Sequence, residues 1–332
     1  MQHILSKIFS ELVEILCRKV YHKIPMAITS APFERKNLVE KALSVLGEVR
    51  PGEGAGVLLL TANVFVLLAG YYLLKTVREA LILSEGGAEV KTYSSAAQVV
   101  LLWCVVPAYA ALTSRMGRLR VMGAITLIFI GNLLLFWYFG NRGSHEGVVF
   151  FIWVGIFNNF AVAQFWSFAN DLYSEEQGKR LFPIIGIGSA TGALAGAEVA
   201  APFIRSAGPY PLMLAAAGAL ALCFLLSYAI HRRAKADSAH FSSGPPEAPL
   251  LRTNGFRLIL RDRYLLLIAV LIVLLNVVNT SGEFLLGKFV VAEAGRAMGA
   301  NLAGQEKFIG EFYGHFFSWV NLVGVLLQMF GV

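Results

Sequence analysis

Long apolar runs separated by short polar breaks make up most of this chain. Eight runs reach bilayer-crossing length, at 57–83, 96–113, 121–139, 148–169, 181–204, 210–230, 264–288 and 314–332. A spanning helix needs about 20 consecutive, mostly apolar residues, whereas the strands of membrane barrels are about 10 residues long and alternate in polarity. The runs are too long and too uniformly apolar for strands, so the pattern predicts an all-α integral membrane protein built as a helical bundle. Residues 1–55 precede the bundle. In them Ile4, Leu5, Ile8, Phe9, Leu12, Ile15 and Leu16 recur at helical spacing opposite Lys7, Glu11, Glu14 and Arg18. That is an amphipathic helix, lying on the inner membrane surface or packed against the loops of the bundle. A second such helix is predicted over 34–47.

Composition narrows the class. The chain has 332 residues, 57% hydrophobic and 15% charged, with a mean hydropathy of +0.64. Soluble domains average about 45–50% apolar and about 25% charged. An ordinary soluble enzyme, a disordered protein and a nucleic-acid-binding domain are thereby excluded. The net charge of +7 fits basic residues gathered in cytoplasmic loops. Lys and Arg divide 20 to 6 between alternate connections when the eight runs are taken as spans, which places the N-terminus in the cytoplasm. Cys17, Cys104 and Cys223 share no ligand spacing, so neither a disulfide framework nor a metal site is expected.

Six spans lie in 56–230. The longest connection, 231–263, is basic, contains Ser242-Ser243-Gly244-Pro245-Pro246, and reads as a cytoplasmic linker between two halves. Two further spans lie in 264–332. Six spans, a long basic loop and more spans is the plan of major-facilitator-type transporters, whose halves are repeats. A repeat is visible between Lys75–Leu83 and Asn279–Gly287 at an offset of 204 residues, with Glu79 opposite Glu283. On this plan about eight of an expected twelve spans are present, and the chain reads as truncated at Gly331-Val332.

Ionisable and amide groups inside spans mark candidate chemistry, because such groups are costly in lipid. Lys75, Arg78 and Glu79 form one cluster. Lys75 and Arg78 read as a phosphate-binding pair with Glu79 tuning or gating them; the competing reading is a Lys75–Glu79 pair with snorkelling cations. Asn158 and Asn159 lie near mid-membrane with Gln164 further on, and they hydrogen-bond either a base or ribose or a neighbouring helix. Asp171, Lys179 and Arg180 read as a charge cluster at the cytoplasmic end. Gly186, Gly188, Gly192 and Gly196 form a small-residue face for close helix packing, and Glu198 beyond them is expected to be buried and paired or protonatable. Asn276, Asn279, Thr280, Ser281, Gly282 and Glu283 predict a bent or interrupted helix around a midplane site. No P-loop, HExxH or GxSxG sequence is present, so the chain is not expected to be an enzyme, and no cofactor is expected.

Two sets of residues carry family resemblances. Arg115, Gly117 and Arg118, with Arg120, resemble the basic half of the major-facilitator loop motif, with Ser114 where the acidic residue usually stands. Tyr71–Leu81, Phe165–Asp171 and Glu175–Gly186 together resemble the ATP/ADP translocase (NTP/NDP exchange) family, in its divergent bacterial branch. The resemblance implies a major-facilitator-like bundle in the bacterial inner membrane that exchanges a nucleoside triphosphate for a diphosphate. Lys75 and Arg78 would then bind phosphates and Glu283 would match an acidic residue of the seventh span. An acidic residue that some members of the family carry in span four is missing between Phe150 and Phe168. Nucleotide (ATP/ADP) and the lipid bilayer are the expected partners, with no nucleic acid and no obligate protein partner. A proton-coupled carrier of another organic anion, using Glu79, Glu198 or Glu283, and a non-transporting scaffold or sensor stand as alternatives.

Overall fold

The computed structural model describes residues 38–44, 47–115, 118–237 and 261–330. Among them the protein is helical and contains no strand. The elements are α1 (Leu38–Leu43), α2 (Gly54–Arg115), α3 (Arg118–Gly140), α4 (Gly147–Leu172), α5 (Glu175–Ala207), α6 (Tyr210–Asp237), α7 (Arg263–Met298) and α8 (Leu302–Phe330). Six of these, α2 to α7, contain segments long and apolar enough to cross a membrane, which marks a multi-pass membrane protein. α8 coincides with the last apolar run but is not among the six. The amphipathic helix expected in the first residues and the Ser-Gly-Pro stretch of the linker lie outside the described residues. The linker expected from residue 231 begins later, because α6 continues to Asp237.

α2 is two helical arms. Gly87 sits at φ 70° and ψ −173°, a backbone state that glycine adopts without a Cβ penalty. Glu79 and Lys91 are twelve residues apart, which would separate them by about 18 Å along a continuous helix. Their side chains instead meet at 2.8 Å, so the chain doubles back at Gly87. The connection expected over 84–95 is therefore one residue of non-helical backbone. Helix also fills most of the connection expected between the seventh and eighth runs, ending at Met298 and resuming at Leu302. Hydropathy marks where a helix is greasy, whereas Ala, Glu and Lys continue a helix as readily as Leu does.

Close approaches fix the packing. Built Cβ atoms on Gly188, Gly192 and Gly196 would strike the backbone of Thr61, Phe65 and Ala69. α5 thus runs parallel to the first arm of α2 along the glycine stripe, as its small-xxx-small spacing predicts. Asn63 Nδ2 donates to Cys223 O at 3.1 Å and to Ser227 Oγ at 2.7 Å, and Gly70 faces Ala219, so α6 lies antiparallel to that arm. α8 runs antiparallel to α5, with Gly310 on Ile204 and Gly314 on Ala201. α3 and α4 meet through Phe129, Phe136, Phe150, Trp153 and Phe157, whose rings pack edge-on or stacked.

α5 begins at a capping box. Ser174 Oγ accepts from the Gln177 amide while Gln177 Oε1 accepts from the Ser174 amide. α7 is different from its neighbours: its buried residues are Gly287, Val290 and Ala294, all in its last third. It is also one continuous helix through Gly282, and a Cβ there would meet nothing within 4 Å. The interruption expected at Gly282 does not occur, because glycine permits a break without requiring one and no neighbouring helix crowds the backbone there.

Candidate functional site

The first arm of α2 delivers Lys75, Arg78 and Glu79 into the bundle, held there by the glycine stripe of α5. Glu79 is buried, 1% exposed. Its Oε1 accepts from Arg78 Nη2 at 2.6 Å and from Arg78 Nε at 3.2 Å. Its Oε2 stands 2.8 Å from the Lys91 ammonium, an ion pair whose angles fall outside hydrogen-bond geometry. Lys91 also reaches Glu283 Oε2 at 3.4 Å. Arg78, Glu79, Lys91 and Glu283 thus form an alternating row of charges that crosses both arms of α2 and ends on α7. Glu79 and Glu283, the repeat partners, meet at one shared lysine.

Lys75 stands apart from this row. It is half-buried and makes no salt bridge among the described residues. The Lys75–Glu79 pair that competes with the phosphate-binding reading is not formed. The ammonium lies instead 4.1 Å from the centre of the Phe317 ring and 5.2 Å from that of Tyr72. Such cation–π contacts contribute about 0.5–2 kcal/mol each, without neutralising the charge. Arg78 is similarly placed over Phe151 of α4, at 4.6 Å. Asn158 is two helical turns from Phe151 and so shares its face. The Asn158 Oδ1 is buried without a hydrogen-bond partner, as is the hydroxyl of Tyr313, a residue 2% exposed whose ring centre lies 5.9 Å from Lys91 Nζ.

The other expected residues divide between the site and elsewhere. Asn279 Nδ2 donates to Glu283 Oε1 at 3.3 Å and belongs to the row. Asn276 is exposed and bonds its own helix at Ile272 O. With Thr280 and Ser281 it lines a shallow depression of about 430 Å³ on α7. Asn159 is exposed and bonds its own helix at Gly155 O. Gln164 borders an enclosed cavity of about 40 Å³ with Asn63, Thr126 and Cys223, room for about one water and no solute. Glu198 is exposed on α5 rather than buried and paired. It lies on the helix face opposite the glycine stripe that α2 covers.

At the opposite end of the bundle Lys179 and Arg180 of the expected charge cluster meet Glu175 and Glu53. Arg180 binds Glu53 through two nitrogens, at 3.1 and 3.3 Å, and donates to Glu48 O at 2.6 Å. Lys179 pairs with Glu175, one turn away. Gln177 Nε2 also donates to Glu53. This fastens the segment before α2 onto the start of α5, with Glu53 as an acid that holds Arg180. Burial alone would raise the Glu53 carboxyl, but hydrogen bonds from Arg180, the Arg50 amide and Gln177 outweigh it and hold it below the usual carboxylate range. In the basic loop motif Gly117 lies outside the described residues, and so do the side chains of Arg115 and Arg118.

Sequence reading missed Lys91, Tyr313 and Phe317. Lys91 counts as a loop residue only if the connection is twelve residues long. The Gly86-Gly87 pair was the available signal, since a break there puts Lys91 one turn inside a returning helix. Comparison of the chain with protein-family models, with curated proteins and with solved structures finds no match, so the resemblance to nucleotide exchangers rests on its own sequence stretches.

Proposed function

We propose that this chain is a membrane transporter that binds an anionic solute inside its helical bundle. Its activity on this reading is the exchange of ATP for ADP across the bacterial inner membrane by alternating access, with the N-terminus in the cytoplasm. The observation that carries the reading is Lys75, a half-buried ammonium with no carboxylate partner among the described residues, caged by two aromatic rings. A cation withdrawn from water and left unpaired is costly, and a phosphate oxygen would supply the missing charge. Arg78, held by Glu79 through Nε and Nη2 and placed over Phe151, keeps its Nη1 donors for a phosphate oxygen. The resemblance of Tyr71–Leu81, Phe165–Asp171 and Glu175–Gly186 to nucleotide exchangers supplies the substrate class. The chemistry required is binding and release, so the site needs no nucleophile or general base.

The test is uptake of labelled ATP into proteoliposomes containing the purified protein and preloaded with ADP. One-for-one uptake that needs internal ADP, ignores uncouplers and is lost in Lys75→Gln is the expected result. Glu283, 47% exposed at the edge of the site, favours one second reading, a proton-coupled carrier of another anion. That carrier would take up its solute without internal ADP and would stop when an uncoupler collapses the proton gradient. Absence of any anion flux or binding by folded protein overturns both.

A further inference from the structure

The charges of the site can be counted. Lys75 and Arg78 bring two positive charges, and Glu79 and Glu283 bring two negative ones, so these four cancel. Lys91 is the fifth charged group of the cluster and leaves it with one net positive charge. The remaining charged pair at this junction, Lys288 with Glu89 at 2.6 Å, is neutral in itself.

We propose that Lys91 is a positioning residue that sets the sign of the site's charge and thereby makes it an anion site. It acts through Glu79 and Glu283 and does not touch the solute. Lys91 is 7% exposed, its ammonium is spanned by the two carboxylates, and the Tyr313 ring flanks it. Lys75, half-buried and unpaired, is the cation left open to a ligand. Glu79 is needed to hold the Arg78 fork, and Glu283 stands half-exposed at the rim, where its charge would repel an approaching anion. Lys91 offsets both acids from behind. The inference rests on the anion-binding reading. The competing role for Lys91 is that of a strut joining the arms of α2 to α7.

Charge compensation separates the two roles. The experiment is calorimetric titration of ATP and of AMP into the detergent-purified full chain, at one ionic strength, for wild type, Lys91→Gln, Glu283→Gln and the double variant. A unit charge about 10 Å from the ligand, under screening close to that of water, changes affinity by about twofold per ligand charge. Lys91→Gln therefore weakens ATP by about tenfold or more, and weakens AMP less. Glu283→Gln, which keeps the Lys91–Glu79 pair and does not depend on Lys91 being replaceable, tightens ATP. The double variant restores one net positive charge and returns ATP affinity to within about threefold of wild type. A strut would not be rescued by removing the second carboxylate, nor would its loss scale with ligand charge. ATP binding unchanged in Lys91→Gln, equal losses for ATP and AMP, no tightening in Glu283→Gln, or a double variant that unfolds like wild type yet binds as poorly as Lys91→Gln would each overturn the proposal while leaving the anion site standing. Wild type that binds neither ATP nor AMP removes the anion-binding reading, and this inference with it.

Discussion

Replacing Gly192 by alanine tests the contact that places Lys75 and Arg78. A Cβ on Gly192 would lie 2.3 Å from Phe65 O and 2.7 Å from Phe65 Cα, against an ordinary contact of 3.4 Å or more. Both partners are backbone, so no rotamer change relieves the clash. α5 and the first arm of α2 must separate by roughly 1 Å, and the neighbouring contacts at Gly188 and Gly196 loosen with them. Overpacking of this kind costs about 1–3 kcal/mol. Gly131 and Gly218 provide matched controls, because a Cβ on either meets nothing within 4 Å. Alanine there is expected to be neutral or to stabilise by up to about 1 kcal/mol through helix propensity. The assay is thermal unfolding in detergent, followed by the monodisperse fraction on size exclusion, with ATP affinity measured on the same samples. Gly192→Ala should unfold several degrees below both controls and, on the proposed anion-binding reading, bind ATP more weakly, since the arm that moves carries Lys75. A Gly192→Ala protein as stable as Gly131→Ala would refute the helix contact described here.

Three further outcomes follow from groups outside the apolar segments. Glu146 precedes α4, its Oε2 is buried without a partner, and burial together with the neighbouring Glu85 pushes its carboxyl up to about 7. The folded protein then holds a proton that the unfolded chain releases near pH 4.5, so this contribution to stability is present at low pH and lost as pH rises through about 7; Glu146→Gln should raise the melting temperature at pH 8 and leave it nearly unchanged at pH 5. Glu53 has the opposite sign, its depressed carboxyl adding stability above its unfolded value that disappears on acidification, and Arg180→Met should shrink that acid-side loss in a pH series of melting curves. Ser174→Ala removes the capping box of α5 and should cost about 1 kcal/mol, read as faster amide exchange in the first turn of α5.

The helices were legible because the apolar runs are long and the small-residue spacing at Gly188, Gly192 and Gly196 has few uses other than close packing. Their ends were less so. Hydropathy placed a loop around Lys91 and another before His315, but Glu89, Glu293 and Lys307 lower apolarity without breaking a helix. Only Gly87 and Gly299 end one there, through positive φ. The candidate site was half legible. Lys75, Arg78, Glu79 and Glu283 stand out as charges in apolar runs, and the offset repeat links two of them. Which acid pairs with which base was not, because a lysine of similar reach lies on every side of Glu79 and only the fold decides that Lys91, not Lys75, takes it. The aromatic cage was hidden for the same reason: Phe317 is one of four aromatics in a stretch of six residues, with nothing local to single it out.

The reversal at Gly87 also bears on how the chain enters a bilayer. A helix inserted alone is penalised by about 2.5–3.5 kcal/mol for each charge near its centre. Arg78 and Glu79 lie about two turns from Gly87 and Lys91 about one turn from it, toward the ends of the arms, so each would incur part of that cost if its arm inserted alone. With one residue between the arms, the hairpin by itself brings Lys91 within 2.8 Å of Glu79, with no contribution from α7 or α8. The acid is neutralised within a local unit, and the insertion machinery is presented with a paired hairpin rather than two charged helices in succession. Lengthening that turn would delay the pairing, so it should reduce the yield of inserted protein even where the finished fold is unchanged.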